Sequence, residues 1–324
     1  MDFFERFQWL FMIIAMFIGL GLGQLGSIAG AAAYFITPFL IMMLFGIFLQ
    51  TPVESLKEGF KSPKVLRLSL LINFVWTPLL AFGLSFLFFR NTPDVFIALI
   101  MDMVTPCTDW YLVFTGIAGG SIALSTSFLP WNLFMQFISI PVAIFLFAGT
   151  VVEIQPYIFL ESFLRVLLLP FIIAILTRNI IYYIKGQSWF EQNILGKIGI
   201  FQSVFLMFAI MAMFASQGVI LIENLSLVVR LIIPVTLFFI INFSIGQLIG
   251  RVFKLSYQEG ASLIFTILAR NAPLALTIAV ATFPERPLIP LVLAVESLIE
   301  LPMLFVFSQI MLLFYSKKWW WDLT

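Results

Sequence analysis

Apolar residues along this chain fall into long runs broken only by short polar connections. Runs of about 20 residues, the length that carries a helix across the hydrocarbon core of a bilayer, occur ten times, near residues 8–25, 30–49, 66–89, 95–118, 121–149, 158–184, 198–216, 228–250, 259–282 and 288–314. The longest connections, TPVESLKEGFKSPK (51–64) and KGQSWFEQNILGK (185–197), are too short to hold a soluble domain. The pattern predicts an all-α integral membrane protein with ten transmembrane helices, residues 1–324 forming a single membrane domain. The first run, QWLFMIIAMFIGLGLG, is read as the first span and not as a signal peptide. Asp2 and Glu5 stand where a leader would be positive, and no convincing cleavage site follows.

Ten spans divide into two sets of five, approximately 1–150 and 158–316. Five is odd, so the second set enters the membrane from the opposite side, which is inverted-repeat topology. The fourth span of each set is the irregular one: LIMDMVTPCTDWYLV (99–113) and LIFTILARNAPLALT (263–277). An offset of 164 lays Leu99-Ile100 over Leu263-Ile264 and Cys107 over Asn271. Pro106 and Pro273 each disfavour helical dihedrals at the residue before them. Freed backbone groups cannot face lipid, where each costs several kcal/mol, so both breaks must be buried or line a wet cavity. Two broken helices in corresponding places of inverted halves point to a binding site at the bilayer midplane.

Composition narrows the chemistry. The chain is 62% hydrophobic and 10% charged, with a net charge of +1, so it offers no basic patch for nucleic acid. It has no histidine, which removes the commonest metal ligand and the usual near-neutral proton carrier. One cysteine excludes an intrachain disulfide and a multi-thiolate metal site. No nucleophile-base constellation is present, which argues against an enzyme, and no cofactor is implied. With a cytoplasmic N-terminus, twelve of the seventeen basic residues fall on the cytoplasmic side: Arg6, Lys57, Lys61, Lys64, Arg67, Arg178, Lys185, Lys197, Arg251, Lys254, Lys317 and Lys318. Both termini are then cytoplasmic. The tail KKWWWDLT carries the lysines and tryptophans of a helix leaving the bilayer at its interface.

Five ionisable residues fall well within spans: Asp102, Asp109, Arg270, Glu296 and Glu300. Four acids against one arginine cannot all be ion-paired, so some must be protonated, bind a cation, or titrate during a transport cycle. Glu296 and Glu300 share a helix face, and the 164 offset lays them over Asn132 and Gln136. Those two amides are either interhelical hydrogen-bond partners or part of the site. Arg270 either neutralises Asp102 or Asp109, or receives an anionic substrate. A fixed positive charge beside Asn271 disfavours a sodium ion there and leans toward protons. Cys107 is either a small core hydrophobe or a soft ligand, its thiolate stabilised by nearby half-helix ends.

These residues resemble the arsenite efflux permease family, within the bile acid:sodium symporter superfamily. The matching stretches are SLLINFVWTPLLAFGL (69–84), TPCT (105–108), NLFMQ (132–136), ARNAPLALTIAVA (269–281) and ESLIELP (296–302). The resemblance implies that spans 4 and 9 cross at the midplane. It also implies a core of spans 3 to 5 and 8 to 10 moving against a panel of spans 1, 2, 6 and 7. The family's essential cysteine carries over to Cys107 and its span 10 glutamate to Glu300. Trivalent arsenic, presented as neutral arsenous acid, would bind the Cys107 thiolate and leave in exchange for protons. Substrate contacts are expected from Cys107, Thr108, Asp109, Asn132, Arg270, Asn271 and Glu300, and ion coupling from Asp102, Asp109, Glu296, Glu300 and Gln136. Asp109, Arg270 and Glu296 depart from the residues usual there, marking a divergent subgroup of the plasma-membrane permeases. The runner-up is a sodium- or proton-coupled importer of a small organic anion. Whether two chains pair as a homodimer is left open.

Overall fold

In the computed structural model, residues 8–50, 62–108, 110–147, 149, 156–223 and 225–317 are described. Asp109, the loop cations Arg6, Lys57, Lys61 and Lys318, and the tryptophan tail lie outside them. Among the described residues every regular element is a helix. In order these are α1 (Gln8–Gly23), α2 (Gly26–Gln50), α3 (Pro63–Phe89), α4 (Pro93–Met103), α5 (Trp110–Ile117), α6 (Ile122–Phe147), α7 (Pro156–Lys185), α8 (Gly196–Glu223), α9 (Leu225–Val252), α10 (Tyr257–Leu268), α11 (Ala272–Thr282) and α12 (Leu288–Ser316). One turn, Gln187–Phe190, and a π-turn, Glu191–Leu195, lead into α8.

Seven of these stretches are long and apolar enough to cross a membrane. Their outer faces carry large apolar side chains in the open, among them Tyr34, Leu87, Ile138 and Leu248, and a water-facing surface would not tolerate so many. The molecule is a multi-pass membrane protein. The fourth and ninth predicted spans are the exceptions to continuous helix. The fourth is α4 and α5, parted around Pro106; the ninth is α10 and α11, parted at Ala269–Asn271. Proline alone does not make these breaks, because Pro38, Pro130, Pro141, Pro170, Pro234 and Pro302 all sit inside unbroken helices. Pro273 is instead the second residue of α11, where a missing N–H costs nothing.

The chain forms two compact units. One comprises residues 1–51, 154–228 and 273–298, the other 52–153, 229–272 and 299–324. In the first, α8 runs along α1 and α2, and α2 also meets α7. The close approach of α1 to α8 depends on Gly19 and Gly23, four residues apart. A Cβ at either would strike the backbone carbonyl of Met211 or Ala215, the small-residue packing expected where lipid gives no hydrophobic drive between helices. Arg178, counted above as a loop cation, is instead buried within α7 in this unit. Helix period, invisible to a count of loop charges, turns it inward.

In the second unit α10 lies against α3, α5 and α6. Val65, Leu66, Leu68 and Ile72 of α3 form one apolar cluster with Phe128 of α6 and with Leu263 and Ile267 of α10. The Tyr257 hydroxyl donates to the carbonyls of Ala118 and Met311, and Ser262 donates to Ser121 O at 3.0 Å, fixing the start of α10. Tyr111 of α5 donates to Ser125 O on α6 at 2.7 Å. Both ends of the α4–α5 interruption are thus held by packed helices.

Candidate functional site

The two interruptions meet inside the second unit. Cys107 N–H donates to Ala269 O at 3.0 Å and Asn271 N–H to Thr105 O at 2.7 Å, so the extended stretches pair antiparallel, with Pro106 opposite Arg270. Those two residues are 164 apart, as are the first residues of α4 and α10, Pro93 and Tyr257. A third link joins side chains: Asn271 Nδ2 donates to Thr108 Oγ1 at 3.1 Å.

A helix that stops inside a protein leaves four carbonyls without intrahelical donors, and here each can be followed to its partner. At the end of α4, Ile100 O accepts from Val104 N, Asp102 O from Thr105 N and Met101 O from the Thr105 hydroxyl. Met103 O accepts from Arg270 Nη1 at 2.9 Å. At the end of α10, Phe265 O accepts from Ala269 N, and the remaining three carbonyls all accept from Arg270: Thr266 O at 3.4 Å and Ile267 O at 2.6 Å from Nη2, Leu268 O at 3.3 Å from Nε. One guanidinium therefore closes both broken helices. It is 1% exposed, lies 5.4 Å above the Phe238 ring, and donates also to Asn73 Oδ1 at 3.0 Å.

The hydrogen bonds of Arg270 among the described residues run to carbonyl and amide oxygens, and its charge also acts on Asp102, Glu300 and Cys107. As a receiver for a substrate carboxylate it has little capacity left: a guanidinium has five N–H donors, and all the groups carrying them are engaged. The backbone N–H of the same residue donates to Glu300 Oε1 at 2.6 Å, which brings the α12 carboxylate to the break.

Gln136 donates from Nε2 to Pro106 O at 2.7 Å, bracing the first interruption from α6, while its Oε1 has no partner among the described residues. One turn earlier Asn132 is fully buried, and neither its Nδ2 nor its Oδ1 is hydrogen-bonded to a described residue. Asp102, at the end of α4, is buried, and its Oδ1 likewise has no partner among the described residues. Cys107 is a buried thiol outside any disulfide, and it lies within the paired stretches. The structure therefore gathers Asp102, Cys107, Thr108, Asn132, Gln136, Arg270, Asn271 and Glu300 within one unit. Glu296 is buried one turn before Glu300 on α12, in the stretch belonging to the other unit.

Asn73 is the residue that the list of site candidates missed. It lies in a π-turn, Ile72–Trp76, where α3 slips register: Pro78 has no N–H for Phe74 O, and Thr77 N–H reaches back to Ile72 O. The displaced amide accepts from Arg270 and donates to Thr266 O at 3.3 Å. Asparagine five positions before proline in an apolar run was the available signal.

Interrupted membrane helices whose buried ends share one polar centre are the architecture of a transporter. The profile of the Sodium Bile acid symporter family matches residues 37–224, and the chain belongs to that family. It is similar to the arsenical-resistance protein Acr3 of Corynebacterium glutamicum, 25% identical, the match covering 94% of this chain and 87% of the relative. It is also similar to the arsenical-resistance protein Acr3 of Alkaliphilus metalliredigens, 23% identical over 95% and 92%, and to the uncharacterized sodium-dependent transporter YocS of Bacillus subtilis, 24% identical over 79% and 77%.

Proposed function

We propose that this protein exports trivalent arsenic, and by the same chemistry antimony, across the plasma membrane in exchange for protons. It works by alternating access, with ten spans arranged as two inverted five-helix repeats whose fourth and ninth members cross. Spans 3 to 5 and 8 to 10 form the moving core, spans 1, 2, 6 and 7 the panel, and both termini are cytoplasmic. The observation that carries this reading is the position of the single thiol: Cys107 is buried in the paired break, and its own backbone N–H closes that pairing.

A lone soft sulfur binds a thiophilic solute without trapping it. The Cys107 thiol would displace one hydroxyl of arsenous acid: an arsenic–sulfur bond forms, an arsenic–oxygen bond breaks, and the thiol proton leaves with the hydroxide as water. Water attack reverses the step on the far side, and arsenic stays trivalent throughout. Asn132, with a buried donor and acceptor both unused among the described residues, suits the remaining hydroxyls. Glu300, and Asp109 of the same stretch as Cys107, carry the exchanged protons; Asp102, Glu296 and Gln136 tune that coupling. The Acr3 relatives support arsenic over an organic anion. So does the occupation of Arg270, whose Nε and Nη2 are engaged and whose Nη1 already donates to Met103 O, which leaves little of the guanidinium to receive a carboxylate.

Everted membrane vesicles test this. The unaltered protein is expected to accumulate arsenite under an inwardly acid gradient and to stop when a protonophore collapses it. Cys107→Ser should reduce uptake to background. Uptake that survives the substitution, or sodium-driven uptake of an organic anion with no arsenite movement, overturns the reading.

A further inference from the structure

Two helix C-termini are aimed at one point in this protein. Each presents roughly half a unit of negative charge from its aligned peptide dipoles, so α4 and α10 together present about one. Opposite them stands one unit of fixed positive charge, the Arg270 guanidinium, in contact with Met103 O, Thr266 O, Ile267 O and Leu268 O and with Asn73 Oδ1. Carbonyls at the ends of broken helices are the groups with which carriers hold a mobile coupling cation. Here the same kind of oxygen shell is filled from within the chain.

We propose that Arg270 is a tethered replacement for a monovalent coupling cation, so that the carrier runs without sodium at this position and removal of the guanidinium uncovers a site for an alkali-metal ion. The charge match and the oxygen set both favour this over simple helix capping. A neutral side chain could satisfy one or two carbonyls, but the shell here has five oxygens from three helices, the dipoles of two of which add. The carboxylate of Glu300, on the backbone N–H of the same residue, would stand next to the uncovered ion and supply a further negative charge. The inference rests on reading this centre as the coupling site of a transporter, but not on arsenic as its cargo, and its test contains no arsenic.

Purified full-length protein, Arg270→Ala and Arg270→Lys are melted in detergent while NaCl, LiCl or KCl replaces choline chloride at constant ionic strength. The unaltered protein and Arg270→Lys, which keeps the charge, should melt at the same temperature in every salt. Arg270→Ala should melt lower in choline and recover by roughly 2–4 °C in sodium or lithium at about ten times the dissociation constant. Millimolar methylguanidinium should rescue it as well. Should Arg270→Ala yield folded protein only when purified in sodium, the proposal is supported; should it fold in neither salt, Arg270→Gln is melted instead and read by the same criterion. A neutral variant that folds and responds to no alkali cation overturns the proposal. So does sodium-specific stabilisation of the unaltered protein, since a mobile ion would then bind despite the arginine.

Discussion

The two interruptions are paired strand to strand yet are made for different work. The first, Val104 to Thr108, carries a proline, two hydroxyls and the only thiol, and depends on others for support: Gln136 holds Pro106 O and Ala269 holds Cys107 N. The second, Ala269 to Asn271, carries the cation that closes both helices and receives Glu300 on its backbone. Symmetry in position has therefore not become symmetry in chemistry. On the proposed reading, one break presents a ligand that exchanges and the other supplies a charge that stays. A carrier that must grip and release a solute many times needs such a division, because a group engaged in holding the backbone cannot also follow the cargo.

Substitutions can break this contrast, the largest effect falling on the second interruption. Arg270→Ala strands the buried carbonyls of Met103, Ile267 and Leu268 and should cost about 3–5 kcal/mol in choline buffer, read as a fall in melting temperature; a loss below about 1 kcal/mol would show that the guanidinium is not what holds the helix ends. Gln136→Leu removes the donor to Pro106 O and should cost about 1–3 kcal/mol, with arsenite uptake falling alongside. Retained stability there would mean that the first break supports itself. Asn73→Ala leaves the Arg270 carbonyl contacts in place and should cost about 1 kcal/mol. Asn132→Leu should be the mildest for the fold, neutral or stabilising by up to about 1 kcal/mol, since no hydrogen bond to a described residue is lost with the amide. Its uptake of arsenite should nevertheless fall more than about tenfold, the loss of roughly one hydrogen-bonding group to the solute. An Asn132→Leu protein that melts lower and still transports would place that amide in the fold and not in the pocket.

Much of this was legible in the chain, and the gaps have physical causes. Apolar length located the helical stretches to within a turn or two, since the bilayer sets that length whatever the side chains. The breaks were legible because Pro106 and Pro273 came with polar neighbours; the six prolines within intact helices lack that company or use it otherwise. Cys107 was singled out by its place at the break, Asn132 and Gln136 by the 164 offset and Glu300 by its cost in lipid, and the structure puts all four in one unit. What Arg270 does was not legible, because its partners are carbonyls, which every residue has and which no letter of the sequence marks. Asn73 was hidden for a related reason: its role arises from a register slip in α3, and the slip follows from a missing N–H at Pro78. Arg178 was counted by side alone, and such a count does not tell that a helix turns the residue into the protein.

The central claim is that one sulfur, Cys107, takes trivalent arsenic inside the paired break. X-ray absorption at the arsenic edge on purified protein equilibrated with arsenite measures this directly. The account predicts one sulfur and two oxygen neighbours in the unaltered protein and three oxygens in Cys107→Ser. An all-oxygen shell in the unaltered protein, or a sulfur neighbour that persists in Cys107→Ser, would contradict it.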